Sequence, residues 1–145
     1  MVFFLLFFYL VCFFLLLKGK HLSDISETFT KGNLHDLVEL LIAPTRCGFF
    51  LTRNRIREIG VEMGLRTGIQ TRKRMLENLF REAGSENKIY ELLKILDSDA
   101  QFWLEKYSFF SKNCKVSKGS WENWTKDLHE LRSYLTKSQK WSQEQ

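Results

Sequence analysis

Residues 89–110 read IYELLKILDSDAQFWLEKYSFF, and this stretch decides which fold class the sequence predicts. Its apolar side chains alternate spacings of four and three residues over three heptads, at Ile89, Leu93, Leu96, Ala100, Trp103, Tyr107 and Phe110. Such spacing places an apolar seam along one helix, which then packs lengthwise against another helix. The pattern therefore predicts a helix of about 25 residues with a helical partner.

A second apolar seam follows a polar break at residues 111–119. Its spacings are three, four, three and four, at Trp121, Trp124, Leu128, Leu131 and Leu135. Ser120 is the predicted N-cap of this helix. Two seams joined by a short polar loop are typical of an antiparallel helical hairpin. Residues 138–145 are polar apart from Trp141, and we expect them to fray.

The segment before the hairpin also has helical periodicity. Apolar residues on one face predict a helix over Leu34–Ile42. Pro44 should end it, because the residue that precedes a proline avoids the α conformation. The apolar connector that follows, residues 47–51, is expected to be buried because three large apolar side chains stand in a row.

Two further helices are predicted between this connector and the hairpin. Thr52 should cap a helix over Arg53–Met63, which ends at Gly64. Residues 67–70, Thr-Gly-Ile-Gln, match a capping box and predict that the next helix starts there. That helix should bury Ile69 and run to Ala83, with Gly84 just beyond its end.

The first seventeen residues suggest a membrane anchor. They contain no charged residue, and Lys18 and Lys20 follow directly. A run of about 17–25 apolar residues can cross a bilayer as a helix, and basic residues on its carboxyl side favour a cytoplasmic body. We expect residues 1–20 to be a single-pass anchor and residues 21–145 to be one helical domain. A misassigned start codon and a buried soluble helix are the alternatives.

The predicted fold class is therefore all-α, an N-terminal membrane helix followed by a bundle of about five helices that ends in the hairpin. One proline and eight glycines in 145 residues argue against a turn-rich β fold. The net charge of +5 is compatible with an acidic partner, an anionic membrane or nucleic acid, and does not separate them.

Residues that could carry catalysis or bind a metal are scattered over the predicted elements. The histidines are His21, His35 and His129, and the cysteines are Cys12, Cys47 and Cys114. No nucleophile motif, phosphate loop, paired-histidine motif or Cys-x-x-Cys pair occurs in the sequence. We therefore predict a protein that is not an enzyme, with free thiols and with no cofactor or metal. No diagnostic motif identifies a family.

Aromatic residues are concentrated around the predicted open end of the hairpin: Phe102, Trp103, Tyr107, Phe109, Phe110, Trp121 and Trp124. Core packing can account for most of them. Phe102 and Phe109, however, lie off the seam, so their rings must pack on the earlier helices or on a partner. We assign Phe102, Phe109 and Trp124 as candidate partner-binding residues.

A basic segment offers a second candidate surface. Eight Lys or Arg residues but only three acidic residues lie between positions 53 and 81. Two helices around a glycine turn there would be similar to a helix-turn-helix, although the register differs by about one residue. The candidate contacts to nucleic acid or anionic lipid are Arg66, Gln70, Arg72, Lys73 and Arg74, and a merely solvated basic face is the third interpretation.

These observations predict a non-catalytic, membrane-tethered module that binds a protein partner in or at the membrane, such as an accessory or assembly subunit of a larger complex. The alternative is a nucleic-acid-binding protein that uses the basic helix pair within residues 53–83.

Overall fold

The computed structural model of the protein describes residues 34–143, and their regular secondary structure is entirely helical. The helices are α1 (Leu34–Ile42), α2 (Pro44–Cys47), α3 (Arg53–Glu62), α4 (Arg72–Ser85), α5 (Ile89–Asn113) and α6 (Lys118–Gln143), with a 3-10 turn at Lys115–Ser117. The predicted all-α bundle is confirmed for this part of the chain. The proposed anchor, Cys12 and His21 lie outside the described residues. Among residues 34–143, no helix has the length and apolar character needed to span a membrane.

Helices α5 and α6 form the predicted antiparallel hairpin. Helix α5 is 25 residues long, as the heptads predict. Near the middle of the hairpin, the guanidinium of Arg132 donates to both carboxylate oxygens of Asp97, at 2.7 and 3.1 Å, and to Gln101 at 2.6 Å. Near the turn, the rings of Tyr107 and Trp121 stack at 5.6 Å. The predicted seam residues Leu93, Leu96, Leu128 and Leu131 are all fully buried, whereas Trp103 is only half-buried.

The ends of the hairpin helices differ from the prediction. Helix α5 continues through Asn113 and α6 already begins at Lys118, so Ser120 lies inside a helix and is not an N-cap. An ion pair between Lys118 and Glu122, at 3.6 Å, connects the first turns of α6. Helix α6 also extends to Gln143, so the expected fraying from residue 138 is wrong for the residues described. Polar sequence alone did not end either helix.

Helix α1 has the predicted bounds and buries Leu34, Leu37, Val38 and Leu41. Ala43 before Pro44 is extended, with φ −101° and ψ 91°, as proline requires of its predecessor. Pro44 itself opens the short helix α2, which the sequence reasoning missed because proline is well tolerated in a first helical turn.

The connector after α2 is buried except at one residue. Phe49 and Leu51 lie in the core, but the side chain of Phe50 is 56% exposed. The expectation that all three large side chains are buried is therefore wrong for Phe50. Successive side chains of an extended segment point to opposite sides, so two of the three can face the core only if the middle one faces outward.

Gly48 fixes this connector against the hairpin. Its φ of +82° lies in the left-handed region, and its carbonyl accepts a 2.7 Å hydrogen bond from the hydroxyl of Tyr107. A Cβ at this position would lie 2.7 Å from the carbonyl oxygen of Trp124 and 2.9 Å from the backbone nitrogen of Leu128. Only a residue without a side chain lets the connector approach α6 this closely.

Helix α3 follows its predicted signals, whereas the start of α4 does not. The Thr52 hydroxyl accepts from the backbone N–H of Arg55 at 3.1 Å, and Gly64 has a φ of +68° just after α3. Helix α4 begins at Arg72, where Thr71 is the N-cap, so the capping box at residues 67–70 is not formed. Ile69, expected to be buried, is 85% exposed.

Packing explains why the helix starts late. Thr67 is buried, and its methyl group would be 2.3 Å from a Cβ on Gly60, so the two residues are in close contact. Thr67 is thus held against α3 and Thr71 caps α4 in its place, so tertiary contact overrides the local capping signal. At its other end α4 continues through Gly84 to Ser85, and Asn87, not Gly84, takes the left-handed conformation with φ 55°.

One hydrophobic core is shared by all six helices. Ion pairs at its edge join distant segments. Arg55 on α3 donates to both oxygens of Asp99 on α5 at 2.8 Å, and Lys73 on α4 pairs with Glu39 on α1. The Asp99 carboxylate raises the pKa of the Arg55 guanidinium. Ion pairs thus join α3 to the hairpin and α4 to α1.

Tyr107 should make stability depend on alkaline pH. Burial raises the pKa of this phenol from its ordinary 10 to about 12, so the folded protein holds the proton more tightly than the unfolded chain. The contribution of Tyr107 to the free energy of unfolding is complete below pH 10. The free energy of unfolding then falls by roughly 2 kcal/mol as the pH rises toward about 12. Urea unfolding between pH 9 and pH 12 should show this loss in the native protein and a smaller one in Tyr107→Phe. An equal loss in both proteins would contradict the assignment.

Candidate functional site

The seven aromatic residues singled out in the sequence form one connected cluster. We call it the aromatic cluster, and its members are Phe102, Trp103, Tyr107, Phe109, Phe110, Trp121 and Trp124. Neighbouring ring centroids are 5.0 to 5.9 Å apart, the range in which aromatic pairs attract. The cluster lies beside the turn that closes the hairpin, not at its open end as expected.

Tyr107 is the centre of the aromatic cluster. Its buried ring contacts Trp103, Trp121 and Trp124, each within 5.7 Å, while its hydroxyl is bonded to Gly48. Trp121 continues the network to Phe110 at 5.0 Å. The indole N–H of Trp121 is buried and has no hydrogen-bond partner within residues 34–143. The rings beneath the surface are therefore held in fixed positions by one another.

The three predicted partner-binding residues form the exposed rim of this cluster. The side chains are exposed by 52% at Phe102, 60% at Phe109 and 42% at Trp124. Phe102 and Phe109 are seven residues apart, so both project from the same outward face of α5. Lys106 places its ammonium 5.1 Å from the centre of the Phe102 ring. Their assignment as binding residues remains a prediction.

The basic segment does not form a compact helix-turn-helix. Helices α3 and α4 are separated by residues 63–71, whereas such motifs use a turn of about three or four residues. Arg66 and Gln70 therefore lie in the connection between the helices. The prediction that they project from a recognition helix is wrong. The burial of Thr67, which delays the start of α4, is the physical cause.

Three of the five candidate basic-face residues, Arg72, Lys73 and Gln70, contact other residues through their side chains, and the other two are exposed. Arg72 donates to the carbonyl of Ile42 and stacks on the Phe50 ring at 4.4 Å, while Lys73 pairs with Glu39. The Lys73 contact lowers the pKa of Glu39 by hydrogen bonding to its charged form. Gln70 accepts a 3.0 Å hydrogen bond from Asn78. Arg66 and Arg74 have exposed side chains.

A cavity of about 430 Å³ lies where the chain enters α3 and α4. It is lined by Phe50, Thr52, Arg53, Asn54 and Arg72. Of these residues, the sequence reasoning had singled out only Arg72 as a candidate ligand contact. The available signal was the arginines in the first turns of two predicted helices, but the approach of these residues in space could not be seen from the sequence.

The histidines and cysteines within residues 34–143 lie on separate parts of the fold. His35 and His129 are exposed and lie on α1 and α6. Cys47 is buried and donates to the carbonyl of Phe49 at 3.0 Å, and its burial raises the pKa of the thiol. Cys114 is exposed. Within residues 34–143, no three His, Cys, Asp or Glu side chains come together as metal ligands would.

Comparison with known proteins assigns no family to the chain. No protein-family model, curated protein or solved structure matches it. The functional proposals below therefore depend on the geometry of the aromatic cluster and of the cavity.

Proposed function

We propose that the protein is a non-catalytic, membrane-tethered helical module that binds a protein partner through the exposed rim of the aromatic cluster. The observation that carries the proposal is that three large rings, Phe102, Phe109 and Trp124, stay 42–60% exposed although the rings beside them are packed. Large aromatic side chains that stay exposed are enriched at interaction sites.

The energetics of the rim favour a partner. Complete burial of a phenylalanine side chain is worth about 1.5–3 kcal/mol, so the half-exposed rings could each contribute roughly 1 kcal/mol on binding. Aromatic side chains are frequent hot spots because they bury a large area with little loss of conformational freedom. The Phe102 and Trp124 rings also contact rings of the cluster, Trp103 and Trp121, which limits their motion before any partner arrives.

The geometry of α5 favours a helical partner. Phe102 and Phe109 are one heptad apart on the outward face of α5. Two helices that pack lengthwise contact each other at this seven-residue spacing. Residues 1–20, the proposed anchor, would hold this surface near the bilayer, so we expect the partner to be a protein in or at the membrane. An accessory or assembly subunit would have this organisation.

Nucleic-acid binding remains the second proposal. Exposed Arg66 and Arg74 could contact phosphate groups, and these contacts would make affinity steeply dependent on salt. One of the five candidate residues, Lys73, is already paired with an acidic residue, Glu39 on α1. This engagement and the long connection between α3 and α4 make the rim of the aromatic cluster the better-supported surface.

Site-specific crosslinking of the full chain in native membranes tests the protein-binding proposal. A photoreactive phenylalanine analogue at position 102 or 109 should give one discrete adduct, whose second component is then identified by mass spectrometry. The same analogue at Val116, an exposed apolar residue in the 3-10 turn, should give none. Carbonate washing of the same membranes should retain the chain and its adduct if residues 1–20 are an anchor.

Purified partner then provides a quantitative control. The double change of Phe102 and Phe109 to Glu should weaken binding by at least about tenfold, since it removes apolar burial and adds charge to the contact. Val116→Glu likewise replaces an exposed apolar side chain with a charged one, but outside the rim, and should leave affinity unaltered. Adducts of equal yield at positions 102, 109 and 116, or equal loss of affinity in the two variants, would rule out the rim as the binding surface.

A further inference from the structure

The cavity at the starts of α3 and α4 has an unusual lining. Two arginines, Arg53 and Arg72, an amide from Asn54 and a hydroxyl from Thr52 surround it, and no acidic side chain takes part. The Thr52 oxygen accepts from the backbone N–H of Arg55 as the cap of α3, and its own O–H can still donate. The groups that can meet a ligand are therefore two cations, an amide and a hydroxyl, all of which can donate hydrogen bonds.

The charge at this place is not balanced within the described residues. Neither α3 nor α4 has an acidic residue in its first turn, although acids are the residues that stabilise the positive end of a helix. No ion pair among residues 34–143 involves Arg53 or Arg72. The two arginine side chains and the two helix N-termini thus make the electrostatic potential in the cavity positive. An anion in the cavity would be attracted by all four.

Arg72 is held in position for such a contact. Its guanidinium donates to the carbonyl of Ile42 and lies over the Phe50 ring, with 4.4 Å between the guanidinium carbon and the ring centre. A guanidinium has five N–H donors, so most of them remain after the bond to Ile42. An arginine fixed in this way loses little conformational freedom when it binds an anion.

Phe50 gives the cavity an apolar wall. Phe50 is 56% exposed, whereas its neighbours Phe49 and Leu51 are buried. Because these neighbours face the core, the Phe50 ring faces outward and lines the cavity. A simple inorganic anion would make no use of this ring. An anion joined to a planar or apolar group would cover it.

We propose that this cavity binds a phosphate monoester, with the phosphate between Arg53 and Arg72 and the adjoining organic group against Phe50. Arginine matches phosphate oxygens through paired, charge-assisted hydrogen bonds, and the Asn54 amide can donate a further one. The cavity, of about 430 Å³, is shallow and open to solvent, so a bound ester would stay partly exposed. The ester can come from a soluble nucleotide or from a lipid headgroup, which present the same phosphate chemistry.

Titration calorimetry of the full chain in an uncharged detergent tests the site. The probes are inorganic phosphate, adenosine monophosphate, and micelles doped with phosphatidic acid or, for comparison, with phosphatidylcholine. Adenosine monophosphate or phosphatidic acid should bind more tightly than inorganic phosphate, and whichever binds identifies the source. Arg53→Ala should weaken that binding by at least about tenfold, because it removes charge-assisted contacts.

Two further variants decide the interpretation. Arg81→Ala removes the same charge from an exposed position near the other end of α4 and should leave affinity unchanged. Phe50→Leu should weaken binding of the ester and not of inorganic phosphate. Failure of inorganic phosphate, adenosine monophosphate and phosphatidic acid alike to bind would overturn the proposal, as would an equal loss of affinity in Arg53→Ala and Arg81→Ala. Equal affinity for phosphate and both esters would contradict the role of Phe50.

Discussion

Replacing Gly48 by alanine is expected to destabilise the protein by about 3 kcal/mol or more. Two costs combine. A φ of +82° is unfavourable for alanine, and the added methyl would lie 2.7 to 2.9 Å from backbone atoms of Trp124 and Leu128 in α6, which a rigid helix cannot move aside. The change should also strain the bond from Tyr107 to the Gly48 carbonyl. Urea unfolding followed by tryptophan fluorescence measures the loss.

Gly64→Ala separates the two costs. Gly64 also has a positive φ, +68°, but a Cβ there would meet nothing within 4 Å. Backbone strain is the only cost of an added methyl group at this position, so we expect the free energy of unfolding to fall by about 1 kcal/mol. The difference between the two variants measures the close approach of the connector to α6. If Gly48→Ala cost no more than Gly64→Ala, the connector would not be packed against the hairpin as described.

Leu96→Ala is expected to cost about 2–5 kcal/mol, because it leaves a cavity in the centre of the hairpin. The Leu96 side chain is fully buried in the seam of α5, so water cannot reach the space that the shorter alanine side chain would leave. The unfolding midpoint in urea should fall sharply, and the dependence of unfolding free energy on urea should stay the same.

Lys94→Ala is the matched control, two residues away on the exposed side of the same helix. Alanine keeps the helix intact, so this change should alter stability by less than about 0.5 kcal/mol. Comparable losses at positions 94 and 96 would show that α5 is not oriented by its heptads. The heptad pattern, which decided the fold class, is thereby open to direct test.

Much of the bundle could be predicted because its signals are local or periodic. The seams on either side of the turn fix the hairpin, since a spacing of three and four specifies one face of a helix. The Thr52 cap and the Gly64 stop place α3 within one residue of its observed end. These features depend on residues close in sequence, where the physical cause lies within the segment itself.

Several of the failures occurred where distant segments decide the local structure. Thr67 would cap a helix in isolation, but its burial against Gly60 postpones α4 to Arg72. Phe50 is turned outward because its two neighbours take the core positions. The cavity beside it depends on the approach of two helix starts about twenty residues apart in the chain. The exposed rim of the aromatic cluster was easier to anticipate, because Phe102 and Phe109 lie off the seam of their own helix.

The bond between Tyr107 and Gly48 also has a consequence for the order of folding. It joins residues 59 positions apart, whereas the ring contact between Tyr107 and Trp121 closes a much shorter loop through the turn. Shorter loops cost less entropy to close, so we expect the two long helices to associate first and to present a preformed surface. The segment around Gly48 then docks late, and its backbone carbonyl meets a phenol that its neighbours already hold in place.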